Sequence, residues 1–212
     1  MQIVSNGRRW GSVVVALFVL SACGPSGSRF LANRDEKVYL RVPKSWHDVK
    51  LSDSIQDPVL QATSDAKVLS KTVVTTQKNA IEQKDLDGQS PFATMTVYET
   101  TGAFNQQISA SVARKLTGLV PYDPLLPGDT NDGLSEVLDF DAKPTNAKVS
   151  GSRVVFRARN AKTDDWALTV NLSTFFDPSA QRLYALEVVC SPGCYDQDSS
   201  EITKIVNSWR IG

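Results

Sequence analysis

The stretch WALTVNLSTFFDPSAQRLYALEVVC occupies residues 166–190 and carries the clearest pattern in the chain. Residues 166–176 and 183–190 are rich in β-branched and aromatic side chains, which favour strands. Asp177-Pro178 lies between these two runs, and both residue types favour turns. The stretch therefore predicts two consecutive strands that pair in an antiparallel manner.

Further strands are predicted immediately before this stretch. Residues 136–141, 147–149 and 153–159 alternate or cluster apolar side chains over strand-like lengths. Ser150-Gly151 is predicted to form a turn between two of them. Since short turns join neighbouring strands, the simplest arrangement is an antiparallel meander.

The N-terminal part of the domain also has a strand-like pattern. Residues 38–42 predict a strand that ends before Pro43, and residues 44–46 predict a turn into residues 48–51. This region is therefore predicted to be a hairpin. Residues 52–89 leave a helix and a strand open, because a possible helix start at Asp57-Pro58 is followed by strand-forming residues.

Strand and helix patterns follow each other in the middle of the chain. Residues 92–100 predict a strand, and residues 105–119 place apolar side chains at helical spacing. Residues 121–132 contain three prolines and a glycine, so they predict an exposed connection. The predicted helix would cover one face of the sheet.

A second helix is predicted at the C-terminus. Residues 198–201 (Asp-Ser-Ser-Glu) resemble a capping box, in which a side chain at each end of the first turn bonds to the backbone. An apolar stripe follows at helical spacing: Ile202, Ile205, Val206 and Trp209. The order of elements predicts an α+β fold, an antiparallel β-sheet covered by helices in an αβα sandwich.

Two short framework motifs resemble a known fold family. Pro43-Lys44-Ser45-Trp46 and the ending Ile205-Val206-Asn207-Ser208-Trp209-Arg210 are similar to the opening and closing of the PsbP-like fold. That fold is shared by the photosystem II protein PsbP, the Ran-binding Mog proteins and a group of actinobacterial lipoproteins. The resemblance implies a noncatalytic adaptor or assembly module that binds protein partners, and it carries over no partner-binding residue.

The N-terminus has the features of an export signal. Arg8 and Arg9 precede an uncharged, largely apolar run at residues 10–22, which is too short for a stable transmembrane helix. Leu20-Ser21-Ala22 then leads directly into Cys23, and this order resembles the lipobox of bacterial lipoproteins. The resemblance implies that Cys23 receives a diacylglyceryl group and becomes the acylated first residue of the mature chain. The alternative is a hydrophobic N-terminal helix with a chance cysteine.

These patterns divide the chain into three parts. We expect a lipoprotein signal peptide at residues 1–22, a lipidated N-terminus and flexible tether at 23–36, and a single domain at 37–212. Acyl chains would hold the protein on the extracytoplasmic side of the cell membrane. Without residues 1–22 the chain has 21 basic and 23 acidic residues, a net charge of −2 that argues against nucleic-acid binding.

The chain's other two cysteines lie close together in the sequence. Cys190 and Cys194 are separated by Ser-Pro-Gly, and outside the cytoplasm such a pair favours oxidation. We predict a structural disulfide, because thioredoxin-type redox pairs have two intervening residues. Cys23 is then left unpaired, as its predicted lipidation requires.

Catalytic and metal-binding patterns are weak. His47 is the single histidine, and no Gly-x-Ser-x-Gly motif accompanies it. The acidic residues of the segment 129–141 could bind calcium, but Phe140 stands where an EF-hand requires glutamate. We therefore expect no catalytic residue, no metal and no cofactor.

Two functional hypotheses remain open. The first is a membrane-anchored envelope lipoprotein that acts as a noncatalytic protein-interaction or assembly module. The second is an extracytoplasmic carrier or receptor for a small apolar or lipid ligand. A large apolar cavity would favour the carrier, whereas a filled core with an exposed apolar patch would favour the interaction module.

Overall fold

A computed structural model describes residues 27–51, 66–100, 135–142, 149–160, 162–177 and 181–212. The predicted signal peptide, the predicted helix at 105–119 and the loop at 121–132 lie outside these ranges. Within them, the chain forms two antiparallel β-sheets and one α-helix.

Strands make up most of the described part of the chain. In chain order they are β1 (Ser28–Asn33), β2 (Val38–Pro43), β3 (His47–Val49), β4 (Ala66–Thr75), β5 (Phe92–Thr100), β6 (Ser135–Asp141), β7 (Ser150–Arg159), β8 (Trp166–Asp177), β9 (Arg182–Cys190) and β10 (Arg210–Ile211). Helix α1 spans Pro192–Ser208, and a short 3-10 helix spans Gln83–Asp85. The larger sheet has the order β3-β4-β5-β9-β8-β7-β6, and the smaller has the order β1-β2-β10.

The meander predicted from residues 134–190 is present in the described strands, while the strand predicted at 147–149 lies mostly outside the described ranges. Strands β6, β7, β8 and β9 pair with their sequence neighbours, and Val170 lies opposite Val189 in the β8–β9 register. The predicted turn at Ser150-Gly151 is wrong, because both residues belong to β7 and lie opposite Phe176 and Phe175. The close approach of β7 to β8 makes glycine useful inside the strand instead of in a turn.

The predicted hairpin between β2 and β3 is wrong. β2 pairs with β1 and β10, whereas β3 pairs with β4 in the other sheet. Trp46 between them is 1% exposed, and its indole N–H donates to Glu201 of α1 at 2.9 Å. Because this side chain is buried against α1, the connection between β2 and β3 passes from the smaller sheet to the larger one instead of forming a hairpin turn.

The predicted αβα sandwich is also wrong. The described chain is mostly antiparallel strand, and its single α-helix contacts β2, β8 and β9 without forming a layer that covers the sheet. Instead, β2 contributes buried Leu40 and Val42 to the same core cluster as Leu186 and Val188 of β9. The smaller sheet therefore occupies part of the position that helices were predicted to fill.

The folded domain and helix α1 both begin earlier in the chain than predicted. Residues 28–33 belong to the predicted flexible tether, but they form β1 and pair with β2 along its length. Helix α1 starts at Pro192 with Ser191 as its N-cap, six residues before the predicted capping box. Proline is favoured at this first helical position, since it has no N–H to leave unpaired. The predicted apolar stripe of α1 is buried as expected.

Candidate functional site

Helix α1 creates two depressions on the surface of the described structure. Its buried residues Ile202, Ile205 and Val206 face the core, while its flanks meet the smaller sheet on one side and β6–β8 on the other. We call these depressions the β2–α1 groove and the β6–α1 pocket.

The β2–α1 groove has a volume of about 690 Å³ and includes three charged side chains in its lining. It is lined by Gly27, Ser28, Arg41, Val42, Pro43, Glu201, Lys204, Ile205, Asn207 and Ser208. The Ser208 hydroxyl accepts a hydrogen bond from the Arg41 backbone N–H at 2.9 Å, which joins the helix end to β2. The groove is open to solvent, and this hydrogen bond fixes its floor.

A buried tryptophan positions one wall of this groove. Trp46 bonds to Glu201 through its indole, and its carbonyl oxygen accepts a hydrogen bond from Arg29 Nε at 3.2 Å. Arg29 also forms a bidentate ion pair with Asp48, with N–O distances of 3.0 and 2.9 Å. These contacts connect β1, the β2–β3 connection and α1.

The β6–α1 pocket has a volume of about 370 Å³ and contains a buried amide. It is lined by Leu138, Asp139, Arg153, Val155, Asn171, Tyr195, Asp196, Ser199 and Thr203. Asn171 of β8 is 4% exposed, and its Nδ2 donates to the Tyr195 hydroxyl of α1 at 3.0 Å. Its Oδ1 is buried and has no hydrogen-bond partner within the described ranges. An unpaired buried acceptor costs about 1–3 kcal/mol, so a partner for this atom would be stabilising.

Tyr195 is neutral in this environment. Burial raises the pKa of its hydroxyl, which outweighs the opposing effects of the Asn171 hydrogen bond and of Arg153. The nearby Asp139 carboxylate also raises this pKa. The hydroxyl therefore keeps its proton at neutral pH and remains a hydrogen-bond donor.

Both arginines beside the pocket have acidic or amide partners. Arg153 donates to Asn207 Oδ1 at 2.9 Å and lies 3.9 Å from an Asp141 oxygen. Arg157 pairs with Asp196 at 3.3 Å. Asp139 forms no ion pair within the part of the chain that the structure describes.

Strand β6 is the last strand of the larger sheet as described. Its side chains alternate little in burial, and three apolar ones are exposed: Val137 (37%), Leu138 (42%) and Phe140 (45%). Such edges attract additional strands, and most proteins protect them with charge or covering structure. Of these three apolar side chains, Leu138 also lines the β6–α1 pocket.

The structure joins Cys190 and Cys194 through their sulfur atoms, with the Cα atoms 5.9 Å apart. Cys190 is the last residue of β9, and Cys194 lies in the first turn of α1 next to Tyr195. The link therefore lies at the junction that carries one wall of the pocket.

The remaining predicted site residues have varied placements. Cys23 and the recognition residues Leu20, Ser21 and Ala22 lie outside the described ranges. His47 lies at the start of β3, with Nε2 3.3 Å from the Ala80 carbonyl oxygen. Among the described residues there is no group of three or more potential metal ligands.

Sequence reasoning did not identify Asn171 or Tyr195. The available signal was an amide within the apolar stretch 166–190, since a polar side chain in a buried strand needs a partner. The part of α1 that supplies this partner was not predicted to be helical.

No helix in the described ranges is sufficiently long and apolar to span a membrane.

Comparison with known proteins gives a fold and no closer relationship. No protein-family model and no curated protein matches the chain. The solution structure of cyanobacterial PsbP (CyanoP) from Synechocystis sp. PCC 6803 is similar, with a TM-score of 0.53 and 10% identity over 92% of this chain and 99% of that one.

Two other solved structures show a weaker likeness. The Ran-binding protein Mog1p of Saccharomyces cerevisiae has a TM-score of 0.46 and 10% identity over 87% of this chain and 95% of that one. LpqN, involved in cell envelope biogenesis of Mycobacterium tuberculosis, has a TM-score of 0.45 and 14% identity over 87% of this chain and 90% of that one. On the evidence of the cyanobacterial structure, the chain has a PsbP-like fold.

Proposed function

We propose that this protein is a noncatalytic interaction module of the cell envelope, anchored to the membrane through lipidated Cys23. The single observation that carries the interaction role is the β6 edge with its exposed Val137, Leu138 and Phe140. An apolar partner surface or an added strand would remove these side chains from water. The carboxylates of β6 would set which partners are accepted.

The carrier hypothesis has less support in the described structure. The main core clusters consist of packed side chains, and the largest buried ones include Trp46, Phe156 and Leu40. The β2–α1 groove is large enough for a small ligand, but Arg41, Glu201 and Lys204 are among the residues that line it. Such a lining is a poor match for an apolar molecule.

The interaction role is tested with a photo-crosslinking amino acid at position 138, in membranes from the producing cell. We expect one protein to be captured reproducibly, and its capture to fall at least about tenfold when Val137→Lys is added, because a buried lysine would oppose contact. A crosslinker at Ile81 is the matched control, since this residue is 66% exposed beside β3 at the opposite end of the sheet. Equal capture of the same protein from both positions, or co-purified lipid without any protein, would refute the proposal.

A further inference from the structure

The β6–α1 pocket has unused hydrogen-bonding capacity. Asn171 is 96% buried, and the half of its amide that does not bond to Tyr195 has no partner within the described structure. The Tyr195 oxygen accepts the Asn171 hydrogen bond, so its own proton is available to a further group. The wall of the pocket thus contains a buried acceptor without a partner, and a contact between β8 and α1 fixes the orientation of its amide.

The charges of the described residues around the pocket do not cancel. Asp141 and Asp196 offset Arg153 and Arg157 through their ion pairs. Asp139 remains, and its carboxylate lines the same pocket as the Asn171 amide. Among the described residues that line the pocket there is no lysine, so this part of its wall combines one unbalanced negative charge with a buried neutral acceptor.

We propose that the β6–α1 pocket binds a guanidinium or ammonium group. Such a group donates several hydrogen bonds from one positive centre, so it can supply both the hydrogen bond that Asn171 Oδ1 lacks and a counter-charge for Asp139. A neutral donor would satisfy the amide and leave the Asp139 charge uncompensated. A volume of about 370 Å³ accommodates a single basic side chain.

The location of the pocket indicates where such a group would come from. Leu138 belongs both to the pocket and to the exposed β6 edge, so a partner on that edge could insert an arginine or lysine side chain. This choice of source rests on the proposed interaction function. A free amine has the same chemistry, and the experiment separates the two sources.

The test is calorimetric titration of the purified full-length chain with N-acetyl-arginine amide, N-acetyl-lysine amide, N-acetyl-citrulline amide and putrescine. Citrulline has nearly the shape of arginine without its charge, so we expect it to bind at least about tenfold more weakly. Tighter binding of the capped basic residues than of putrescine would identify a side chain as the source, and the reverse order would identify a free amine. Either result supports the cation pocket.

Variants locate the binding. Asp139→Asn removes the unbalanced charge at an exposed position, and we expect binding to weaken about threefold to fivefold. Asn171→Leu removes the amide at similar volume, and we expect about a tenfold loss. Asp35→Asn is the matched control, because Asp35 is an exposed carboxylate in the β1–β2 loop, outside the pocket. The affinity of the Asp35→Asn variant for the capped basic residues should equal that of the wild type.

The proposal is overturned if citrulline amide binds as tightly as arginine amide, if no cation binds, or if Asp139→Asn and Asp35→Asn behave alike. The Asp139→Asn variant tests the cation-binding proposal even if the Asn171→Leu variant fails to fold. These titrations use the isolated protein, so they are independent of whether position 138 captures a partner. Failure of the interaction role and failure of the pocket are therefore distinguishable.

Discussion

Gly151 illustrates how one residue position constrains the sheet. A Cβ atom there would collide with the Thr174 carbonyl oxygen and with the ring of Phe175 on the neighbouring strand. The backbone of β7 therefore approaches β8 more closely than any side chain would allow. The strand keeps its register at this point because the residue has no side chain.

We expect Gly151→Ala to lower the free energy of unfolding by about 1–3 kcal/mol, because the strands must shift to admit the methyl group. Gly193→Ala is the matched control: a Cβ at Gly193 meets nothing within 4 Å, and the residue is helical. That variant should raise the free energy of unfolding by about 0.5–1 kcal/mol. Urea unfolding measures both, and equal effects would contradict the packing argument.

The pKa of Tyr195 leads to a prediction about alkaline stability. Because burial raises this pKa, the unfolded chain loses the tyrosine proton near pH 10 while the folded chain still holds it. The stabilising effect is complete below about pH 10 and is lost as pH rises through the higher folded value. We expect the free energy of unfolding to fall above pH 10, and less steeply in Tyr195→Phe. An identical slope in the variant would show that Tyr195 does not contribute.

The contact between Asn171 and Tyr195 also marks what sequence could not predict at this scale. The two residues are 24 positions apart and meet because α1 packs on β8. Neither the local spacing of residues nor their types predicts this contact. Trp46 likewise lies in a predicted turn, although it is fully buried and bonded to a helix 155 positions away.

At the scale of elements, four of the strands between residues 92 and 190 follow their sequence patterns closely, whereas β7 begins three residues before its predicted start. β5, β8 and β9 match the expected ranges within one residue, because alternating or continuous apolar runs bounded by turns are local signals. The β2–β3 prediction failed, since a short link between two strands does not reveal whether they pair. α1 begins earlier than predicted, because Pro192 and Gly193 have the residue types of a turn within the disulfide loop.

We propose that the Cys190–Cys194 pair is oxidised in the mature protein, and the junction of β9 and α1 makes this testable. Closing so small a loop restricts the unfolded chain, so Cys190→Ala/Cys194→Ala should lower the free energy of unfolding by about 2 kcal/mol. Wild type in reductant should behave like the double variant. If reductant leaves the wild-type unfolding curve unchanged, the cysteines are not paired.

The same pairing bears on the thiol content of the mature chain. With Cys23 acylated and the other two cysteines bonded, a thiol-reactive dye should label no cysteine in the denatured, unreduced protein. One labelled thiol per chain would contradict either the lipid or the disulfide.

At the scale of the whole molecule, the smaller sheet was not predictable. β10 contains two residues and pairs with β2, about 170 positions earlier in the chain. A run of two residues carries no periodic signal, so a helical cover was the natural but incorrect expectation. The PsbP-like resemblance identified the fold where periodicity did not.

The proposed membrane attachment is tested by fractionating cells that produce wild type or Cys23→Ala. We expect wild type in the membrane fraction and the variant largely released, since two or three acyl chains supply the attachment. Detergent should release wild type, whereas high salt should not. A variant that remains equally membrane-bound would contradict lipidation at Cys23.

The early start of β1 limits how far the domain can lie from the proposed anchor at Cys23. Four residues separate Cys23 from Ser28, and a fully extended chain advances at most about 3.6 Å per residue, so the reach is about 18 Å. If Cys23 carries the proposed lipid, the β2–α1 groove, whose lining includes Gly27 and Ser28, is confined to the layer next to the lipid headgroups. Under the proposed anchoring, a partner would have to come to the membrane surface, because so short a link would not let the domain extend across the envelope.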